Sequence, residues 1–242
     1  MSLLTVVRDV CTVVGAAIPT SVFASIAGNR TMAEMLALAN EIAQRIAYDT
    51  REWQQLKQSV TLPGDATLTN PGTTAFNLPA NFKRMLLTAN VWRSNTPMSP
   101  MRFFPDLDEW MQRRARGYYD SRGEWIIYGG QIHIHPPMPV GVTATFAYLS
   151  KNPIALASGG LSEIFLTDND SFLLGDRLLK LGMTWQWKAQ KGSPYSEDLG
   201  TYGDAMLLAM GNDSPSPIMV GREPISASVV ASTAYPFPVP SS

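Results

Sequence analysis

The apolar positions of this chain change period three times, and each change marks a boundary between kinds of structure. Leu3, Val7, Val10 and Val14 recur at steps of four, three and four, one stripe of a helix that Pro19 ends. After a Gly28-Asn29 break, Thr31 reads as an N-cap with Glu34 three residues on, a capping box. Behind it Met35, Leu36, Ala39, Ile42, Ala43, Ile46, Trp53 and Leu56 keep the helical period for about seven turns.

From Val60 the pattern shortens. Pro63-Gly64-Asp65 and Asn70-Pro71-Gly72 are turn signals between short threonine-rich strands, and Leu78-Pro79 closes a strand because proline cannot donate to a ladder. Glu124–Tyr128 alternates toward a Gly129-Gly130 turn, and Gln131–His135 returns as its hairpin partner. Pro136, Pro137 and Pro139 forbid further pairing before Val142–Leu149 supplies another β-branched and aromatic strand. Inside this region Pro105–Arg116 predicts a short helix. Asp106, Asp108 and Glu109 stand at its start and Arg113, Arg114 and Arg116 at its end, the polarity the helix dipole favours.

Helical spacing resumes near Asp168, with Leu173, Leu174, Leu178, Leu181 and Trp185 ahead of a Gly192-Ser193-Pro194 break. A last helix, about Ser196 to Met210, carries Leu199, Tyr202, Met206 and Leu207. Helices at both ends of the sequence and strands between them predict an α+β fold: a helical bundle with an inserted antiparallel β region. The corresponding segments are 1–58, N-terminal helices; 59–155, the β-rich insertion with its short helix; 156–213, helices completing the bundle; and 214–242, an extended Pro-rich C-terminal arm.

Composition sharpens that last assignment. Residues 214–242 contain six prolines and only two charges, Arg222 and Glu223, yet also Ile218, Met219, Val220, Val229, Val230, Tyr235 and Phe237. A free solvated tail is normally more polar, so these seven side chains are the candidate partner-binding residues of an arm that orders along another subunit. Charged residues make up only 16% of the chain against a typical ~25%, and net charge is −1, as expected of a surface covered by partners. Arg8-Asp9 interrupts the apolar N-terminus and no basic segment precedes it, which argues against secretion and membrane insertion.

Candidate chemistry is sparse. Cys11, the single cysteine, lies on the apolar stripe and reads as a packed thiol; no intrachain disulfide and no cysteine-based zinc site can form. Phosphate-loop, dinucleotide-fold and serine-elbow motifs are missing from the sequence. His133 and His135 stand two apart on a strand and could face one metal with Asp120 or Glu124, but read better as half-exposed strand residues. Asp106, Asp108 and Glu109 contain no identifiable glycosidase pair, and Asp168-Asn169-Asp170 lacks the glycine and glutamate of a calcium loop and reads as a helix cap. Arg113, Arg114 and Arg116 with Tyr118 and Tyr119 invite a nucleic-acid reading. Five acidic residues between Met101 and Trp125 balance the five basic ones, which argues against it. No catalytic residue, cofactor or metal is therefore assigned.

The order of these pieces resembles the head-to-tail adaptor, or head-completion, proteins of short-tailed bacteriophages. The resemblance runs from about Thr31 to Gly211 and rests on Asp49-x-x-x-Trp53-x-x-Leu56, Leu78-Pro79-x-x-Phe82-x-Arg84, Trp125-x-x-Tyr128-Gly129-Gly130-x-Ile132 with Pro136-x-Met138-Pro139, and the late helix. It implies a non-enzymatic virion protein of the neck, made in the host cytoplasm. It further implies a ring, as a dodecamer, that binds the portal above and a tail tube or nozzle protein below, passes genomic DNA without binding it specifically, and contacts no membrane. The competing expectation is a tail-associated binding module or carbohydrate-active tail protein that uses the β region.

Overall fold

The computed structural model describes residues 1–64 and 74–213. Helix α1, Leu3–Val14, begins where the Ser2 hydroxyl accepts from Thr5 N–H and ends where Gly15 turns left-handed at φ 71. It therefore stops before Pro19, because a glycine C-cap closes it first. Leu3, Val6, Val7, Val10 and Cys11 are buried.

Helix α2, Arg30–Tyr48, is capped by Asn29, whose side chain accepts from Thr31 N–H at 3.0 Å. Thr31 is thus inside the helix and not its cap. Glu34 turns outward to Arg30 and Lys191, each at 2.7 Å, so no capping box forms. The helix is also shorter than its apolar period implies. Trp53 and Leu56 are buried beyond its end, in a 3-10 turn at Gln54–Leu56, because the Trp53 indole folds back to donate to the Ile46 carbonyl at 2.6 Å.

The β region follows as two four-stranded sheets. In the first, β1 (Lys57–Pro63) pairs antiparallel with β8 (Thr143–Ser150), and β3 (Phe82–Met85) and β4 (Trp92–Arg93) pair with the other side of β8. In the second, β2 (Thr74–Asn77), β7 (Gln131–His135), β6 (Glu124–Tyr128) and β5 (Arg102–Phe103) lie in that order. Hairpin β6–β7 turns at Gly129 and Gly130, φ 59 and 75, with Tyr128 opposite Gln131, where the two-residue loop was expected. β5 and β6 form the one parallel pair among the described strands, because α3 (Leu107–Ala115) connects them as a crossover helix.

Three two-residue strands, β9 (Ile154–Ala155), β10 (Leu161–Ser162) and β11 (Ser171–Phe172), form a small sheet before α4 (Asp176–Gln190) and α5 (Ser196–Asn212). The late helix thus begins at Asp176. Residues 168–170 instead close the start of α1: the Asp170 and Asp168 carbonyls accept from Leu3 and Leu4 N–H at 2.7 and 3.0 Å. These are two of the four amides a helix leaves without internal partners.

Helix α4 packs against α1, α2 and α5, and around it Val7, Met35, Ile42, Ile46, Leu178, Met183 and Met206 form the helical core. At Gly182 a Cβ would lie 2.5 Å from Ile42 Cγ2 and 3.2 Å from Tyr202, so only glycine permits this three-helix approach. A second core, with Trp125, Ile132, Ile134 and Phe146, lies between the two large sheets. Strand β8 joins the two: Phe146 and Tyr148 enter the sheet core, Leu149 the helical one. The chain is α+β, helices from both ends of the sequence enclosing an inserted β region.

Candidate interaction surfaces

The residues with chemical potential are occupied by structure. His133 and His135 are buried, 8% exposed each, and not half-exposed as expected, because α3 covers the face of β6–β7 turned away from the sheet core. Tyr128 stacks on His133 with centroids 3.8 Å apart and planes within 5°, and Trp110 and Tyr119 meet His135 edge-on. Burial pulls the His133 pKa below its ordinary value, and the charge of Arg114 adds to that.

Glu124, opposite His135 in the ladder, is 1% exposed. It accepts from Arg113 Nη2 at 2.6 Å and from Asp120 N–H at 2.9 Å, which ties α3 to the sheet. Asp120 in turn holds Arg122, whose hydrogen bonds depress its pKa well below the carboxylate range. Among the described residues no three His, Cys, Asp or Glu side chains come together as a metal cluster. Asp106 caps α3 through Asp108 N–H at 2.8 Å, with Asp108 and Glu109 in the first turn and Arg113 and Arg114 in the last. Cys11 is fully buried, and burial raises its pKa.

The Asp170 carboxylate accepts four hydrogen bonds. One oxygen accepts from Leu166 and Thr167 N–H, both at 2.7 Å; the other accepts from Ala157 N–H at 3.0 Å and the Thr167 hydroxyl at 2.7 Å. Burial alone would raise its pKa, but these hydrogen bonds outweigh it and hold the carboxyl below its usual value. Asp168 accepts from Val22 and Phe23 N–H, so it caps the 3-10 turn Phe23–Ser25 and not a helix of its own. Nothing in the sequence nearby signals these bonds, since their partners lie about 145 residues earlier.

What the fold leaves uncovered is apolar surface. On and beside α3, Phe103, Leu107, Met111, Tyr118 and Tyr119 are exposed. On α5, Tyr202 and Met206 face inward as expected. Leu199 and Leu207 do not: they are 41% and 68% exposed because α5 packs against α4 on one side only. Leu161, Ile164 and Leu166 project from the loop that Asp170 organises.

The end of α5 is fixed to the root of the β region. Asp213 accepts from Gln54 N–H at 3.1 Å and pairs with Arg51 Nε at 3.5 Å, while Arg51 also donates to the Met210 carbonyl. The seven candidate arm residues, Ile218, Met219, Val220, Val229, Val230, Tyr235 and Phe237, lie outside the described residues, as does the Asn70-Pro71-Gly72 turn. No described helix is long and apolar enough to cross a membrane.

Compared with known proteins, the chain matches no curated sequence. It does match a family model, described as SU10 adaptor protein, over residues 1–212, a span that covers the helical bundle and the β region and stops where α5 ends. The chain therefore belongs to the SU10 adaptor protein family and is a structural adaptor of a bacteriophage virion.

Proposed function

We propose that this adaptor forms a closed ring, a dodecamer, in the neck of a short-tailed phage, with the portal on one face and a tail tube or nozzle protein on the other. Its lumen extends the channel through which genomic DNA leaves the capsid. The observation that carries the reading is the family match across helices and β region together. The charge-poor composition and the exposed apolar side chains on α3 and α5 support it.

Function here is assembly free energy and not turnover. Apolar area removed from water contributes roughly 25 cal/mol per Å² before association costs, and ring closure makes modest contacts collectively strong. A channel that passes DNA works best without gripping it, which a net charge of −1 suits. Within this reading the arm, 214–242, lies along an adjoining subunit or the portal.

The test is negative-stain imaging and mass determination of the purified protein, alone and mixed with the portal of the same phage. A ring stacked on the portal is expected. A small oligomer that ignores the portal would refute the proposal and favour a tail-associated binding module. Deleting Ser214–Ser242 should weaken attachment; unchanged assembly would remove the arm from the mechanism.

A further inference from the structure

Among the described residues strand β1 is an open edge. Its inner side pairs with β8 over seven positions, from Lys57 opposite Leu149 to Pro63 opposite Thr143, and among the described residues no strand or loop backbone pairs with its outer side. In an antiparallel edge strand alternate residues point N–H and C=O groups outward, an arrangement proteins normally cover or blunt. Ser59, Thr61 and Pro63 are exposed along it.

The root of the C-terminal arm lies at the foot of this edge. Asp213 bonds to Gln54 N–H, three residues before β1 begins. Between Pro224 and Pro236 the arm contains one proline-free run of eleven residues, Ile225–Tyr235, rich in small and β-branched side chains and with no charge. It is the longest proline-free run of the arm, able to donate to a ladder throughout, and unlike the six-residue run Ile218–Glu223 it exceeds the seven residues of β1.

The spacer before it, Ser214–Pro224, contains Pro215, Pro217 and Pro224. At ~3.1 Å per residue, eleven residues can span at most roughly 34 Å, more than the about 23 Å of β1 itself. The spacer is thus long enough for the run to reach the edge strand of an adjacent subunit.

We infer that Ile225–Tyr235 of one subunit adds as a strand to the outer edge of β1 in the adjacent copy, making the first sheet continuous from subunit to subunit. The inference rests on the ring proposed above and names where the arm binds. Backbone hydrogen bonds supply the attachment, and alternate side chains of the run pack on either face.

The experiment is a cysteine scan in the full-length chain. Ser59→Cys is combined with single cysteines at each position from Ser226 to Ser232, and oxidised samples are separated without reductant. Buried Cys11 stays, and the wild type and the Ser59→Cys single variant are controls. A strand predicts covalent dimers and higher multimers whose yield alternates with period two, at least tenfold between neighbouring positions.

Cross-links confined within one chain, a flat profile, or none above the controls would overturn the inference. The mass of the unoxidised protein separates the two levels. Ring mass with a flat scan rejects strand addition and leaves the ring; a monomer that ignores the portal rejects both. As a second measurement, Val230→Pro, a change within the proposed strand, should speed hydrogen exchange of outward β1 amides at least tenfold in the assembled protein. Unchanged exchange would count against the inference.

Discussion

Replacing Asp170 tests whether one buried carboxylate organises the loop between β9 and β11 and, through it, the start of α1. Asp170→Ala removes a carboxylate with no exposure of its own, the acceptor for the N–H groups of Ala157, Leu166 and Thr167 and for the Thr167 hydroxyl, all part-buried bonds from residues that are themselves exposed. A hydrogen bond to a charged group contributes roughly 1.5–3 kcal/mol, but neighbouring losses do not add in full and water can reach the freed donors. About 3–5 kcal/mol is therefore expected, a large share of a domain's ~5–15 kcal/mol. Asp170→Asn keeps one acceptor oxygen but turns an NH₂ toward two donors, for about 2–4 kcal/mol.

Urea unfolding followed by tryptophan fluorescence reads both variants. At an m-value of ~2.5 kcal/mol/M the alanine variant's midpoint falls by roughly 1–2 M. The pH dependence gives an independent check. Asp170 has a folded pKa below its unfolded value, so its contribution is fully present above the unfolded pKa of ~3.9 and fades as pH falls through the folded one. The gap between wild type and Asp170→Asn should hold constant above about pH 5 and narrow below about pH 4. An Asn variant as stable as wild type at pH 7, or a gap unchanged down to pH 3, would refute the reasoning.

Gly182→Ala should cost about 1–3 kcal/mol in urea melts, because its Cβ meets Ile42 Cγ2 at 2.5 Å; a neutral result would mean that Ile42 re-packs freely. Glu124→Gln removes the charge facing Arg113 and should cost about 2–4 kcal/mol while raising the rate of proteolysis around α3; equal protease resistance would separate the ion pair from α3 docking. His133→Phe keeps a ring beside Tyr128. Because His133 has a folded pKa below its unfolded ~6.5, wild type loses stability as pH falls from about 6.5 toward that lowered value, and the Phe variant should lose less over the same interval. Parallel pH profiles would show that His133 does not titrate in that window.

Hairpin β6–β7 and helix α3 were legible in the sequence because their boundaries are set locally, by Gly129-Gly130, by Pro136 and by Asp106 at a cap. The elements read incorrectly were those bounded by distant partners. Asp168 and Asp170 look like the head of the helix that follows them, yet they satisfy amides of α1 and of the Val22-Phe23 turn. Trp53 and Leu56 continue the helical period because burial continues, not because the helix does. The histidines were assigned to a half-exposed face since alternation in one strand cannot reveal that α3 covers it. Leu199 and Leu207 fit the period of α5 but lack a second helix to face.

These distant bonds also determine how the β region is held relative to the helices, which a structural adaptor must fix. Glu52, between α2 and β1, accepts from Arg84 Nη1 at 2.5 Å and from Leu87 N–H at 3.0 Å, so β3 is tied to the chain leaving the bundle. Tyr48, on the last turn of α2, donates to the Ser150 carbonyl at the end of β8. Within the sheet, the Tyr148 hydroxyl lies 2.9 Å from both Gln58 Oε1 and Asn81 Oδ1, joining β1, β8 and the turn before β3. Both ends of the β1–β8 ladder are thereby closed: at the far end Gly64 donates to Val142, and any Cβ there would meet the Pro139 and Val142 carbonyls at 2.2 and 2.4 Å. A paired ribbon about 23 Å long, tied at both ends, holds the first sheet to the bundle, and the core shared by Trp125, Ile132, Ile134 and Phe146 holds the second sheet to the first. Helix α3, on the far face of the second sheet and tied to it through Glu124 and Arg113, is thereby placed relative to the helical bundle by continuous pairing and packing and not by a loose linker.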